Sequence, residues 1–303
     1  MARAELSAAD AARDDGLTVC IVGLGLMGGS LALAWRAAGW PAHIIAVNRS
    51  RPALTAALEA GAIDAGTTDL SEGVAAADVV VLATPVRTIL RLLPEVGRQA
   101  RPGAMIMDLG SSKQQICAAL AALGEHLQVI GGHPLCGKET VGFGAADPGL
   151  YRDRPFVLCP LPRTSPASLR LAERLAVAAG ARTLIADPLE HDRAVAAISH
   201  LPYALAAALT RSVALNGDGL AWSLAASGFR DTSRLAAADV DMMLDILLTN
   251  RAAVLDWIDA FAYDLAGLRE TLSAEDEAGL PSLARPDGSV PESSCCLLVI
   301  LLT

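Results

Sequence analysis

Leu17-Thr18-Val19-Cys20-Ile21-Val22-Gly23-Leu24-Gly25-Leu26-Met27-Gly28 is a short apolar run that ends in three glycines at G-x-G-x-x-G spacing. A helix-like stretch follows, Ser30 to Ala38, closed by Gly39. Between a strand and a helix this spacing has a mechanical meaning. The first glycine allows a tight turn, the second admits a pyrophosphate against bare backbone, and the third lets helix and strand pack closely. The helix N-terminus then offers N–H donors and the positive end of its dipole. Gly23, Gly25, Leu26, Met27 and Gly28 are therefore candidate dinucleotide-binding residues.

Working outward, β-rich runs alternate with alanine-rich helical stretches. His43–Val47, Asp78–Ala83 and Ala104–Asp108 read as strands, and Arg51–Ala60 as a helix stopped by Gly61. Such alternation implies right-handed crossovers and a mostly parallel, doubly wound sheet covered on both faces. Val129-Ile130 leads into a glycine-rich loop. Pro155–Cys159 and Arg182–Ala186 look like strands flanking a helix from Pro166 to Ala179. After Asp187 the pattern turns all-helical, over Leu189–Leu215 and Val240–Leu272, with apolar residues on more than one helix face. The expected organisation is an α/β domain over 17–187, a helical domain over 188–272, and a loose tail over 273–303.

Composition narrows the function. The 303 residues carry 24 basic and 33 acidic side chains, a net charge of −9, which disfavours nucleic acid or anionic lipid as a partner. No apolar run reaches a membrane span, and the first residues lack a secretory signal's apolar core. None of the six cysteines forms a C-x-x-C pair, which suits buried thiols in a reducing, cytoplasmic setting. No metal site is expected.

Cofactor choice turns on the end of the second strand. An NAD enzyme usually places Asp or Glu there for the ribose 2′-OH, but this chain has Asn48-Arg49-Ser50-Arg51. An acid would repel a 2′-phosphate, whereas arginines attract it and Asn48 and Ser50 can donate to it. That pattern points to NADP, with NAD the alternative. Thr84 and Pro85, just after the Asp78–Ala83 strand, join the candidate cofactor residues.

Four later segments concentrate polar groups: Asp108-Leu109-Gly110-Ser111-Ser112-Lys113, Gly131-Gly132-His133-Pro134-Leu135-Cys136-Gly137-Lys138-Glu139, Ile198-Ser199-His200-Leu201-Pro202-Tyr203, and Ser227-Gly228-Phe229-Arg230-Asp231-Thr232-Ser233-Arg234. The chain's two lysines, Lys113 and Lys138, both fall in them. His133 suits a general base, because imidazole accepts a proton near cellular pH. His191, in Glu190-His191-Asp192, reads as structural.

GLGLMGGS, DLGSSK, GGHPLCGKE and SHLP, in this order, resemble the prephenate/arogenate dehydrogenases of tyrosine biosynthesis, and ASGFRDTSR resembles the cyanobacterial type. The likeness runs from about Val19 to Leu272. It implies a Rossmann-like domain followed by a helical dimerisation domain, hence a homodimer, and oxidative decarboxylation of a cyclohexadienol, arogenate or prephenate. It also implies His133 as catalytic base, Ser111 bonding near the reacting hydroxyl, Arg234 forking onto a substrate carboxylate, and His200 binding substrate. Asp231 would orient Arg234 or His200, and Lys113 would make the cleft electropositive for a dianion. Glu139 either gates the pocket or caps a turn. Two features depart from the family: Tyr203 stands where a histidine often follows SHLP, and the apolar Cys295–Leu302 end is unlike the amphipathic helix expected after Leu272. A 3-hydroxyacid-type dehydrogenase would need a catalytic lysine after Lys138, and there is none. A non-catalytic NADP-sensing regulator is the remaining alternative, although it has no need of His133, Ser111 and Arg234 together.

Overall fold

A computed structural model describes residues 16–40, 42–138, 140–217, 219–276 and 279. Glu139, most of the expected tail and the Cys295–Leu302 run lie outside the described residues. The chain divides into two compact units, residues 1–251 and 252–303, each taken by itself below.

The first unit is built on an eight-stranded sheet in the order β3-β2-β1-β4-β5-β6-β7-β8. The strands are β1 (Thr18–Val22), β2 (His43–Val47), β3 (Ala65–Thr67), β4 (Val79–Leu82), β5 (Met105–Asp108), β6 (Gln128–Pro134), β7 (Pro155–Pro160) and β8 (Arg182–Ile185). Every pairing is parallel except β6 with β7. The doubly wound, mostly parallel sheet read from the sequence is thus the sheet observed.

Side-chain alternation along the strands makes both faces apolar. Val19, Ile21, Val79, Val81, Met105 and Met107 join one core with residues of helices α1 (Leu26–Ala37), α2 (Arg51–Glu59) and α6 (Pro166–Ala178). Cys20, Val22, Val80, Leu82 and Ile106 join the other, with α3 (Leu70–Ala75), α4 (Val86–Gln99) and α5 (Gln114–Ala121). Polar caps set where several helices begin. Ser50, Asp69 and Ser165 accept from backbone N–H groups at the starts of α2, α3 and α6. Helix α1 starts four residues earlier than the sequence suggested, because Gly25 itself is the N-cap and Gly28 and Gly29 lie within the helix.

Beyond the sheet, α7 (Pro188–Val195) is capped by Asp187, whose side chain accepts from Leu189 N at 2.8 Å. It runs through a π-helical turn, Ala196–His200, into α8 (Leu201–Asn216). The polar Ile198–Tyr203 segment thus begins in one widened helical turn. Pro202 has no N–H to return to the carbonyl of Ile198, and Leu201 N donates back to Ala196 O. Short α9 (Gly219–Ser223) and α10 (Ser227–Ser233), a 3₁₀ turn (Arg234–Ala237) and α11 (Val240–Thr249) complete this unit.

The second unit holds nearly all of α12 (Arg251–Ser273). Leu255, Trp257, Ile258, Phe261, Tyr263 and Leu265 are exposed along it. Among the described residues no helix is long and apolar enough to cross a membrane.

Candidate active site

Strands β1 and β4 are neighbours whose crossovers lead away in opposite directions, since β2 lies beyond β1 and β5 beyond β4. The carboxyl edge between them is a topological switch point, where parallel α/β sheets take their ligands. The glycine loop sits there, and its three glycines differ as the motif requires. Gly23 has φ +102°, and a Cβ on it would lie 2.6 Å from Thr84 Cγ2. A Cβ on Gly28 would lie 2.1 Å from Gly23 O. A Cβ on Gly25 would meet nothing within 4 Å, so that face of the loop is open. Thr84 Oγ1, beside Gly23, is buried with no hydrogen-bond partner among the described residues. An open backbone face, a helix N-terminus and an orphaned buried hydroxyl suit a dinucleotide.

At the end of β2, Asn48 Oδ1 accepts from Leu24 N at 3.4 Å, which ties this strand end to the glycine loop. Ser50 Oγ accepts from Ala53 N at 3.4 Å as the cap of α2, so its expected role toward the cofactor is shared with a structural one. Arg49 is exposed beside them.

His133 is not in a loop. It lies inside β6, opposite Val157 of β7, because Gly131 and Gly132 continue the strand instead of breaking it. The two glycines are needed for close approach. A Cβ on Gly131 would lie 2.7 Å from Cys117 Sγ, and one on Gly132 2.6 Å from Asp108 O. The ring is half-buried, and its Nδ1 pairs with His191 Nε2 at 2.8 Å. Its Nε2 has no hydrogen-bond partner among the described residues. Burial first, then the neighbouring His191, Lys113 and His200, hold its pKa well below that of ordinary imidazole. The ring is therefore uncharged at neutral pH and able to accept a proton.

Lys113 corrects the sequence reading. It is 0% exposed, its ammonium is ion-paired with buried Asp108, and it donates to Gly132 O at 2.7 Å. The Asp108 carboxylate also accepts from Gly110 N at 2.7 Å and Gly132 N at 3.1 Å. The pair clamps the peptide before His133 and presents no charge to a cleft. Only this full pairing makes burial of the cation tolerable.

His200 is also more enclosed than expected, at 1% exposure. Its Nδ1 lies 3.2 Å from Asn250 Nδ2, which in turn donates to Asp192 O at 2.7 Å. Burial lowers its pKa to about 4. Through Asn250, His200 is tied to the turn of α7 that carries Asp192. Ser111 is half-buried at the end of β5, while its neighbour Ser112 is fully buried against Thr249 Oγ1 at 2.8 Å. Asp231 and Arg234 are exposed, on α10 and at the start of the 3₁₀ turn that packs on α8.

The group that sequence reasoning missed is His191. It and Asp192 come from α7, far along the chain, and a His-Asp pair one turn into a helix carries no motif. The sequence marks only the Asp187-Pro188 helix start ahead of them; their burial is seen in the fold. A cavity of about 590 Å³ between α4, α5 and α11, lined by Arg87, Arg91, Gln115 and Asp245 among others, contains none of the expected site residues.

Residues 31–185 match the family model described as prephenate dehydrogenase, nucleotide-binding domain, and residues 187–285 the one described as prephenate dehydrogenase, dimerization domain. Prephenate dehydrogenase of Bacillus subtilis (strain 168) is 33% identical over 87% of this chain and 72% of its own length. Cyclohexadienyl dehydrogenase of Zymomonas mobilis is 29% identical over 85% of this chain and 89% of its own length. Among solved structures, Synechocystis arogenate dehydrogenase superposes with a TM-score of 0.78 at 32% identity, covering 88% of this chain and 96% of that one. Prephenate dehydrogenase from Aquifex aeolicus, in complex with hydroxyphenyl propionate and NAD+, gives 0.81 at 30% identity, covering 88% and 94%.

Proposed function

The chain belongs to the prephenate dehydrogenase family, and from that premise we propose that it catalyses the NADP-linked oxidative decarboxylation of arogenate to tyrosine, or of prephenate to 4-hydroxyphenylpyruvate. One observation carries this reading: a half-buried, uncharged imidazole on a strand end, with one nitrogen engaged and the other unpartnered.

The bound nicotinamide supplies a hydride acceptor. His133 Nε2 takes the proton of the ring hydroxyl, and Ser111 bonds that hydroxyl and holds it in line. The hydride leaves the hydroxyl-bearing carbon as the carbonyl forms, the electron pair left by departing CO₂ runs through the ring to that oxygen, and the oxygen takes a proton back from His133 as the ring becomes a phenol. Aromatisation makes the step downhill, so the protein needs only a base, a hydroxyl partner and a cation for a carboxylate. Arg234 provides the cation, with Asp231 orienting it; an exposed, planar guanidinium suits a carboxylate.

Gly23, Gly25, Leu26, Met27 and Gly28 would hold the pyrophosphate, with Thr84 and Pro85 alongside. Asn48, Arg49 and Ser50 would meet the 2′-phosphate. The choice of NADP is supported by the absence of an acid after β2, and that of arogenate by likeness to the Synechocystis enzyme. NAD is the alternative, since the Aquifex relative was solved with NAD+. A homodimer through the helical residues is supported by the exposed apolar side chains of α8 to α12. A cytoplasmic location is supported by free Cys20, Cys117, Cys136 and Cys159.

Purified protein given arogenate or prephenate with NADP or NAD tests this reading. Reduced cofactor and CO₂ should appear together with at least one acid, and faster with NADP. No reduction with either acid contradicts it.

A further inference from the structure

We infer that Asp192 and His191 are positioning residues that set the tautomer of His133, leaving its Nε2 as the bare nitrogen. The inference rests on the reading of His133 as the base, and it concerns residues that no sequence motif marks. Asp192 is 1% exposed, and its Oδ1 accepts from His191 Nδ1 at 2.8 Å. With Nδ1 donating to Asp192, the Nε2 of His191 is left as an acceptor. It lies 2.8 Å from His133 Nδ1, which must then be the protonated nitrogen. One proton per ring fixes the rest: His133 Nε2 carries a lone pair and no hydrogen. Free imidazole side chains divide between tautomers, so this order comes from the protein.

The chain is anchored at both ends. The same Oδ1 of Asp192 accepts from Lys113 N at 2.6 Å, and Oδ2 accepts from Gln114 N at 2.9 Å, which caps α5. The carboxylate can neither turn nor swap partners without undoing that helix start. At the other end, the Asp108–Lys113 pair grips Gly132 by both its N–H and its carbonyl, so the backbone of His133 is fixed as well. The ring centroids lie 5.0 Å apart with the planes at 75°, and the rings touch through the two nitrogens at 2.8 Å.

The test is nitrogen-15 NMR of histidine-labelled full-length protein at neutral pH, with the His133 signals identified by their loss in His133→Asn. The wild type should show Nδ1 protonated and Nε2 bare. His191→Phe should shift His133 toward the opposite tautomer, and Asp192→Asn should lower kcat by about 10²- to 10⁴-fold while the dinucleotide KM stays within about twofold. His191→Leu, which likewise offers no acceptor, serves as a second variant should the phenylalanine disturb folding. A wild-type ring protonated on Nε2 overturns the inference, as does an unchanged tautomer in both His191 variants. A protein inactive on both acids but showing the Nδ1–H signature supports the relay and removes only the assigned reaction.

Discussion

The ammonium of Lys113 donates to the carbonyl oxygen of Gly132 at 2.7 Å, one peptide before His133. That cation is sealed in the interior with Asp108 as its counter-charge. Lys113→Met would leave the Asp108 carboxylate buried without its partner. Removing one member of such a pair costs about 3–5 kcal/mol. Denaturant unfolding should show a loss of that size with an unchanged m-value, and a loss below 1 kcal/mol would mean the pair is solvated in solution.

The glycine loop separates folding from binding. Gly25→Ala adds a Cβ into open space, so its unfolding midpoint should match the wild type while dinucleotide affinity falls at least about tenfold. Gly28→Ala should instead destabilise the protein, because its Cβ would press on Gly23 O at 2.1 Å. Fluorescence titration and thermal unfolding of the two variants make the comparison. Equal affinity losses with equal stabilities would remove the distinction drawn between the two glycines.

Arg49→Asp addresses cofactor choice. Losing a charge-assisted contact and adding a like charge should weaken NADP by about 10- to 100-fold and NAD far less. Isothermal titration of both dinucleotides would read this directly, and equal losses would place the 2′-phosphate elsewhere.

Two histidines make stability depend on pH. His200 titrates at about 4, and His133 also well below its ordinary value, both chiefly because burial disfavours the charged ring. The unfolded chain takes up protons on these rings near pH 6.5 and the folded chain does not. Stability from this source is full above about pH 6.5 and falls as the pH drops, by about 1.4 kcal/mol per pH unit for each ring, until the folded form titrates. For His200 the decline ends near pH 4. Urea midpoints between pH 7 and 4.5 should fall accordingly, and less steeply in His200→Gln.

Much of the fold was legible because local rules and tertiary demands agree in it. β1, the glycine loop and α1 form one unit in which strand pattern, turn chemistry and helix start all point the same way. β6 is where they part. Two consecutive glycines signal a turn locally, yet Gly131 and Gly132 are there because Cys117 and Asp108 crowd the strand. The site follows the same division. His133 and Ser111 stand in marked segments, whereas His191 acts through a pairing 58 residues distant, which no local spacing reveals. Lys113 misled for a related reason: its rarity marked it as special, but only the packing shows that its partner is Asp108 and not a ligand.

The most direct measurement compares His133→Asn with the wild type on the better of the two acids, with dinucleotide affinity measured alongside. Asparagine keeps a polar side chain of similar reach but cannot take up the hydroxyl proton. Turnover should fall by about 10²- to 10⁴-fold with the dinucleotide dissociation constant unchanged. A variant that turns over at the wild-type rate would show that the proton goes to another group.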